Sequence, residues 1–170
     1  MKTTAYLSLG SNLGNKQLNL ETACRRLEAE DIRITAASSV YITEPWGNTP
    51  QDDFLNQVLE VETTLQAEQL LTVIQNIEKR MGRVRSEHWG PRLIDIDIIL
   101  FGEQVISSRN LTVPHPYLEQ RAFVLIPLLE IAPEIHLPGA GNLQETLDNL
   151  AKNAKIGCIK KVTYDKMNQR

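Results

Sequence analysis

The sequence has few cysteines, few aromatic residues and no long apolar run. Its two cysteines, Cys24 and Cys158, are too few for a disulfide framework, and neither has a second cysteine at metal-ligand spacing. The most apolar stretches, 94–101 and 122–129, contain aspartates or a proline and fall far short of the roughly 20 residues that a membrane-spanning helix needs. We therefore expect reduced, structural thiols and no membrane partner.

Signals for export are also missing. The N-terminus has neither the continuous apolar block nor the small-residue cleavage site of a secretory signal, which predicts a cytoplasmic protein. A chain of 170 residues with 42% hydrophobic content can bury one core, so we expect a single domain over residues 1–170. We expect this domain to be a monomer.

Several familiar catalytic motifs are absent. Gly10 and Gly14 lack the Gly-Lys-Ser/Thr ending of a Walker A loop, and the glycines at 139 and 141 lack the rest of a dinucleotide fingerprint. No histidine pair has zinc spacing, and no serine or cysteine lies in a recognisable nucleophile motif. Hydrolytic and zinc chemistry are therefore disfavoured, and a nucleotide would have to be held in another way.

The net charge of −3 argues against a protein whose whole surface binds nucleic acid. The average conceals one basic segment, 79–92, which contains five lysines or arginines and one glutamate and so carries a charge of +4. A solvated loop and an anion-binding loop would both have this composition. Arginine suits phosphate oxygens in particular, because its planar guanidinium is permanently charged and binds them in a bidentate way.

The hydrophobic pattern predicts alternating strands and helices. Strands are expected over 3–10, 32–43, 54–64 and 93–101, and helices after Asn15 and over 67–81, with Gly82 as the C-terminal cap. Beyond them, a helical stretch near 117–129, a helix over 143–152 and a strand-like tail segment at 156–162 are expected. The order strand, helix, strand, strand, helix, strand is typical of a ferredoxin-like α+β sandwich, a mostly antiparallel sheet with helices on its faces.

Asp95 and Asp97 alternate within the fourth predicted strand, so their side chains share one face, with Ile94, Ile96, Ile98 and Leu100 on the other. Such a pair can bind hard divalent cations or lie on the wet face of a strand. Two like charges in an isoleucine-rich strand need a compensating cation, and the arginine-rich loop before them supplies one. Aspartates and arginines together point to a metal-bound polyphosphate.

Seven short motifs, in this order and spacing, resemble hydroxymethyl-dihydropterin pyrophosphokinases of folate biosynthesis over roughly residues 3–150. They are Gly10-Ser11-Asn12-Leu13-Gly14, Phe54-Leu55-Asn56, Gly82-Arg83-Val84-Arg85, Trp89-Gly90-Pro91-Arg92, Asp95-Ile96-Asp97, Thr112-Val113-Pro114-His115, and Arg121 with Phe123. The tail, residues 153–170, lies outside the resemblance as a C-terminal extension without an assigned role.

The resemblance implies an enzyme that moves the terminal diphosphate of ATP onto the hydroxymethyl group of 6-hydroxymethyl-7,8-dihydropterin and releases AMP. It implies two magnesium ions at Asp95 and Asp97, which act in catalysis with Arg92 and Arg83. The residues implied to contact ATP are Glu78, Arg85, Trp89, Arg92, Ile98, His115, Tyr117 and Arg121. The residues implied to bind the pterin are Thr43, Glu44, Trp46, Phe54, Asn56, Asp95 and Phe123.

Two alternatives remain open at this point. Another two-metal phosphoryl or nucleotidyl transferase would account for the aspartates and arginines, but not for Phe54, Asn56 and Phe123. A noncatalytic ferredoxin-like module that binds RNA or a nucleotide would account for the fold and the basic loop, yet paired aspartates would repel a nucleic-acid backbone. In the enzyme, the loops 44–53 and 82–92 are expected to close over ATP and exclude water.

Overall fold

The computed structural model of the chain describes residues 1–45, 50–82, 92–138, 141–153 and 157–163. Its main sheet has six strands, and a two-stranded ribbon lies beside it. The main-sheet strands are β1 (Thr3–Ser11), β2 (Arg33–Ala37), β3 (Tyr41–Thr43), β4 (Phe54–Thr63), β5 (Asp95–Phe101) and β8 (Ile159–Lys161). The ribbon strands are β6 (Ile106–Ser107) and β7 (Thr112–Val113). The helices are α1 (Lys16–Ala29), α2 (Ala67–Arg80), α3 (Ala122–Ile131) and α4 (Leu143–Lys152), with a short 3-10 helix at Leu118–Gln120.

The main sheet runs in the order β5-β1-β4-β3-β8, and β2 pairs with the other end of β4. All of these pairs are antiparallel. The α+β class and the mostly antiparallel sheet are therefore confirmed. The ferredoxin-like label stays a prediction with which this strand order is compatible.

Helices pack on both faces of the sheet. On one face, α1 and α2 cover the inward side chains of β1, β4 and β5, among them Leu7, Leu59 and Ile96. On the other face, α3 and α4 bury Val58 and Ile99. In the described part of the chain, no helix is long and apolar enough to cross a membrane.

The ends of the first two helices carry the predicted signals. The Asn15 side chain accepts a hydrogen bond from the Leu18 backbone N–H at 3.1 Å and so caps α1. Gly82 follows the C-cap of α2 with φ = 90°, a left-handed conformation that glycine adopts without steric cost. Helix α2 therefore ends within the basic segment, after Lys79 and Arg80.

Two sequence-based expectations need correction. The stretch 32–43 forms two short strands rather than one, because residues 38–40 between them are not in strand conformation. Strand β2 pairs with residues 59–62 of β4, whereas β3 pairs with residues 54–56. The alternation in β5 holds only to Ile98. A register shift then places both Ile99 and Leu100 against α3 and α4, and returns Phe101 to the α1 and α2 face. Leu100 thus lies on the face opposite to the predicted one.

Candidate active site

One row of paired residues crosses the sheet and defines the site. Asp95 on β5 pairs with Gly10 on β1, Gly10 pairs with Asn56 on β4, Asn56 with Tyr41 on β3, and Tyr41 with Lys161 on β8. Since directly opposed residues in a sheet point to the same face, side chains distant in sequence lie side by side on the α3 side. We call this line of residues the cross-sheet row.

A cavity of about 250 Å³ opens over the cross-sheet row. Eleven of the residues that line it were predicted as site residues: Thr43, Glu44, Phe54, Asn56, Arg92, Asp95, Asp97, His115, Tyr117, Arg121 and Phe123. Four further lining residues were not: Ser8, Gly10, Gln51 and Pro116. The cavity therefore brings together strand residues, the segment before β5 and the segment from β7 to α3.

Opposite charges meet at the β5 end of the cavity, which we call the phosphate end, after the ligand that the motif resemblance implies for these residues. Arg92 forms an ion pair with Asp95 at 3.1 Å. Burial lowers the pKa of Arg121, while the nearby Asp97 and Asp95 raise it, and an arginine keeps its proton in any case. The two aspartates are about 7 Å apart along the strand, a spacing set by strand geometry. This end can attract a polyanion and a divalent cation at once.

A buried asparagine positions Arg92. The Arg92 backbone N–H donates to Asn12 Oδ1 at 2.7 Å, and the Asn12 backbone N–H donates to the Arg92 carbonyl at 3.0 Å. The Asn12 Nδ2 group also donates to Gln51 Oε1 at 2.8 Å and to the Asp52 carbonyl at 3.2 Å. Asn12 thus joins the end of β1, the segment before β4 and the arginine of the phosphate end.

His115 lines the cavity next to the part of β5 where the register shifts. Its backbone N–H donates to the Ile99 carbonyl at 3.0 Å, and its Nδ1 accepts from the Tyr117 backbone N–H at 3.2 Å. Burial first, and then the charge of Arg121, lower the pKa of His115 to about 4, although Asp95 opposes this. The ring is therefore neutral at pH 7, and with Nδ1 accepting, its proton lies on Nε2. His115 offers an N–H donor without a positive charge.

The β3 end of the cavity is built from buried neutral polar groups; we call it the pterin end, after the ligand that the motif resemblance implies for these residues. Asn56 and Thr43 are 5% and 3% exposed, and the Asn56 Nδ2 group donates to Thr43 Oγ1. A Cβ atom added to Gly10 would lie 3.0 Å from Asn56 Oδ1 and 3.5 Å from a ring carbon of Phe54. Glycine at this position leaves the space that both side chains occupy.

Aromatic rings and a guanidinium stack at the opening of the cavity. The Arg121 guanidinium lies 5.2 Å from the centre of the Tyr117 ring and 5.6 Å from the centre of the Phe123 ring. Both distances lie within the range of favourable cation–π contacts. Because Arg121 covers one face of the Phe123 ring, a planar ligand would have to use the other face.

Two predicted site residues, Glu78 and Ile98, lie away from the cavity, and four others fall outside the described residues. Glu78 is 3% exposed, and its carboxylate accepts a hydrogen bond from the Ile96 backbone N–H at 3.0 Å. Ile98 is buried in the core between the sheet and the first two helices. Neither lines the cavity, and their roles stay predictions. The other four fall outside the described residues: Trp46, Arg83, Arg85 and Trp89.

The residues that sequence reasoning missed carry two kinds of signal. Ser8 and Gly10 alternate on β1 and pair with Asp97 and Asp95, so they could have been found from the same period of two that identified the aspartates. Gln51 and Asn12 are joined by side-chain hydrogen bonds between distant segments, a contact that local sequence does not mark.

The carboxylates suit magnesium. In the part of the chain that the structure describes, no group of three His, Cys, Asp or Glu side chains is close enough to hold a metal ion. Magnesium rarely uses a full cage of protein ligands; it is typically held by one or two carboxylates together with water and substrate phosphates. Asp95 and Asp97 fit that donor set.

Comparison with known proteins gives a consistent result. The family model described as 7,8-dihydro-6-hydroxymethylpterin-pyrophosphokinase (HPPK) matches residues 6–133. The chain is 45% identical over 149 residues to the 2-amino-4-hydroxy-6-hydroxymethyldihydropteridine pyrophosphokinase of Methylorubrum extorquens, covering 87% of this chain and 94% of that protein. It is 42% identical to the enzyme of the same name from Pseudomonas aeruginosa, over 84% of this chain and 88% of that protein.

Solved structures agree on the fold. A crystal structure of wild-type Plasmodium falciparum HPPK-DHPS with pteroate matches with a TM-score of 0.75 and 16% identity, over 91% of this chain and 43% of that chain. A second wild-type structure of the same protein matches with a TM-score of 0.72 and 20% identity, over 90% of this chain and 44% of that chain. The present chain spans less than half the length of these proteins, and at such identity the likeness shows the fold alone.

Proposed function

The chain belongs to the 7,8-dihydro-6-hydroxymethylpterin-pyrophosphokinase family, and from this premise we propose how its residues transfer diphosphate from ATP to the hydroxymethyl group of 6-hydroxymethyl-7,8-dihydropterin, with release of AMP. One observation supports the assignment of roles: one cavity has Asp95 and Asp97 at its β5 end and the Asn56 carboxamide with the Phe54 ring at its β3 end. Family membership decides against the two alternatives.

The pterin end binds the flat heterocycle. Phe54 and Phe123 line the cavity and supply aromatic faces, which suit a planar ring system. The Asn56 carboxamide can both donate to and accept from the amide and amino edge of the pterin, with Thr43 and Glu44 completing the hydrogen bonds. Asp95, at the β5 end of the cross-sheet row, faces the hydroxymethyl group. Trp46 contributes to the same slot.

The phosphate end holds ATP and stabilises the charge that develops during transfer. Arg92 and Arg121 neutralise phosphate oxygens, and Tyr117 keeps Arg121 in place by stacking. His115 donates a hydrogen bond from its Nε2–H group to a phosphate oxygen. Because the ring carries no charge, it does not compete with the arginines for ion pairs with the aspartates. Arg83, Arg85, Trp89, Glu78 and Ile98 complete the ATP site.

Asp95 and Asp97 would hold two magnesium ions, which supply charge neutralisation and alignment of the phosphate oxygens. The hydroxymethyl oxygen releases its proton to water and attacks the β-phosphorus, the bond from that phosphorus to the oxygen that bridges it to the α-phosphate breaks, and AMP leaves with that oxygen. Transfers of this kind depend on positioning and electrostatics more than on a covalent intermediate. Loops 44–53 and 82–92 close over ATP and exclude water. We further propose that residues 1–170 act as one domain, as a cytoplasmic monomer.

The test is to incubate the purified protein with ATP, magnesium and hydroxymethyl-dihydropterin and to separate the nucleotide products by chromatography. AMP that forms only when the pterin is present supports the proposal. ADP would show transfer of a single phosphoryl group, and AMP formed equally well without the pterin would show hydrolysis. Either result, or no turnover, contradicts the proposed function.

A further inference from the structure

The C-terminal strand β8 lies beyond the residues that the family model matches, yet it borders the active site. It pairs antiparallel with β3, with Thr43 opposite Ile159 and Tyr41 opposite Lys161. The Val162 backbone N–H adds a hydrogen bond of 2.8 Å to the Val40 carbonyl. The cross-sheet row therefore ends on the tail of the chain.

Strand β3 depends on this neighbour. It has three residues, and within the described residues its strand partners are β4 on one side and β8 on the other. A short strand at the edge of a sheet is held by few hydrogen bonds and is easily displaced. Pairing with β8 turns β3 from an edge strand into an internal one.

Strand β3 also fixes the carboxamide of the pterin end. Because Asn56 Nδ2 donates to Thr43 Oγ1, the Asn56 carbonyl oxygen points away from Thr43 and towards Gly10. A carboxamide that lost this partner could rotate and exchange its donor and acceptor positions. The orientation of Asn56 thus depends on where Thr43 lies, and Thr43 is paired with Ile159.

A second contact joins the tail to the same strand through α3. Glu130, near the end of α3, accepts hydrogen bonds from the Tyr41 hydroxyl and, at 2.6 Å, from the Ser39 backbone N–H. The Lys161 ammonium lies 3.9 Å from the same carboxylate. Both ends of β3 are therefore connected to β8.

We propose that residues 157–163 position the pterin end of the active site: by pairing with β3 they hold Thr43, and through it the Asn56 carboxamide, in the orientation that binds the pterin. Residues 157–163 do not line the cavity, so the role proposed for them is a positioning role. This inference rests on the proposed function and adds a dependence of pterin affinity on the C-terminal strand.

Lys160 allows a test that leaves the cavity unchanged. Hydrogen-bonded pairs alternate along antiparallel strands, so the pair after Val40 and Val162 is Ile42 and Lys160. Lys160 and Ile42 are exposed, on the face away from the cavity. Lys160→Pro removes the backbone donor, and Lys160→Ala is the matched control that keeps it.

Steady-state kinetics with both substrates give the readout. Lys160→Pro should raise the KM for hydroxymethyl-dihydropterin about fivefold, the factor that corresponds to one net hydrogen bond. Its kcat and its KM for ATP should stay unchanged, and Lys160→Ala should behave like the wild type. An unchanged pterin KM in folded Lys160→Pro protein would overturn the proposal, and so would an equal loss in kcat or in ATP affinity, which indicates general loosening.

A double-mutant cycle tests the route through Thr43. Thr43→Val alone should raise the pterin KM, and Lys160→Pro should add little in that background, because both changes release the same carboxamide. Fully additive effects would contradict this route. If Lys160→Pro does not fold, a chain ending at Asn153 replaces it; if that chain is also unfolded, β8 serves the whole fold and the selective role is overturned. Wild-type protein that forms no AMP contradicts the proposed function itself, before any variant is compared.

Discussion

The two ends of the cavity differ in how their side chains are held. At the pterin end, Thr43 and Asn56 lie on adjacent strands, are almost fully buried and bond to one another. At the phosphate end, Arg92 and His115 come from irregular segments. Arg92 is placed by its ion pair with Asp95 and by two hydrogen bonds to Asn12, and His115 by hydrogen bonds to Ile99 and Tyr117. The pterin end is therefore preorganised by the sheet, whereas the phosphate end depends on a balance of charges.

This difference follows from what each end binds. A flat neutral heterocycle is distinguished by the positions of its donors and acceptors, so the groups that recognise it must be rigid, and a carboxamide free to rotate would lose selectivity. A metal polyphosphate is bound mainly by charge, which tolerates small displacements better than hydrogen bonding does. Substitutions at the two ends should therefore alter different kinetic constants.

The largest effect is expected at the phosphate end. Asp97→Asn keeps the size of the side chain and removes one of the two carboxylates that would hold magnesium, so kcat should fall by at least about a hundredfold. AMP release at saturating substrates measures it. Glu103→Asn, a change of an exposed turn residue far from the cavity, is the control for loss of one negative charge. Turnover at the wild-type rate would remove Asp97 from the mechanism.

The next effect is expected where the two ends meet. Gly10→Ala places a Cβ atom 3.0 Å from Asn56 Oδ1, closer than real side chains normally approach, so the carboxamide must shift. Misalignment of one buried polar group should weaken pterin binding by roughly tenfold. Titration of the pterin into the protein with a nonhydrolysable ATP analogue measures it. Gly141→Ala is the control, because a Cβ atom added there would meet no other atom within 4 Å.

A smaller and more selective effect is expected from Thr43. Thr43→Val keeps the shape of the side chain but removes the acceptor for Asn56, and should raise the pterin KM about fivefold. Thr43→Ser keeps the hydroxyl and should recover most of the loss. ATP affinity should not respond to either change. Equal losses for the two substrates would contradict the division of the cavity into two ends.

Much of this arrangement could be predicted from the sequence, because strong local patterns determine it. The period of two placed Asp95 and Asp97 on one face of the strand. Asn15 marked the start of α1, and Gly82 marked the end of α2. The motif resemblance grouped residues that are far apart in the sequence, among them Thr43, Phe54 and Phe123, and all three line the cavity.

Other features carry no local signal. The register shift in β5 turns Leu100 to the other face of the sheet, next to the Ile99 carbonyl that His115 contacts. It occurs within Ile-Ile-Leu-Phe, where every residue is apolar, so no polar residue marks which face each side chain takes. The pairing of β3 with the tail joins two three-residue strands more than a hundred residues apart. Loop closure over such distances is decided by tertiary packing rather than by propensity.

The smallest effect concerns the link between α3 and β3, and it depends on pH. Burial raises the pKa of Glu130, but hydrogen bonds from Tyr41 and Ser39 and the charge of Lys161 lower it more, so the folded pKa lies below the ordinary value of 4.5. A carboxyl whose pKa is depressed on folding stabilises the native state above its unfolded pKa, and this contribution is lost as the pH falls through the folded pKa.

Glu130→Gln should therefore lower the Tm by about 1–3 °C near pH 7, and the difference from wild type should shrink below about pH 4.5. Thermal unfolding across this range measures it, with the exposed Glu134→Gln as the control for charge. A difference that grew on acidification would mean that the carboxylate is held unfavourably and that Glu130 does not stabilise β3, which would then be held by its pairing with β4 and β8.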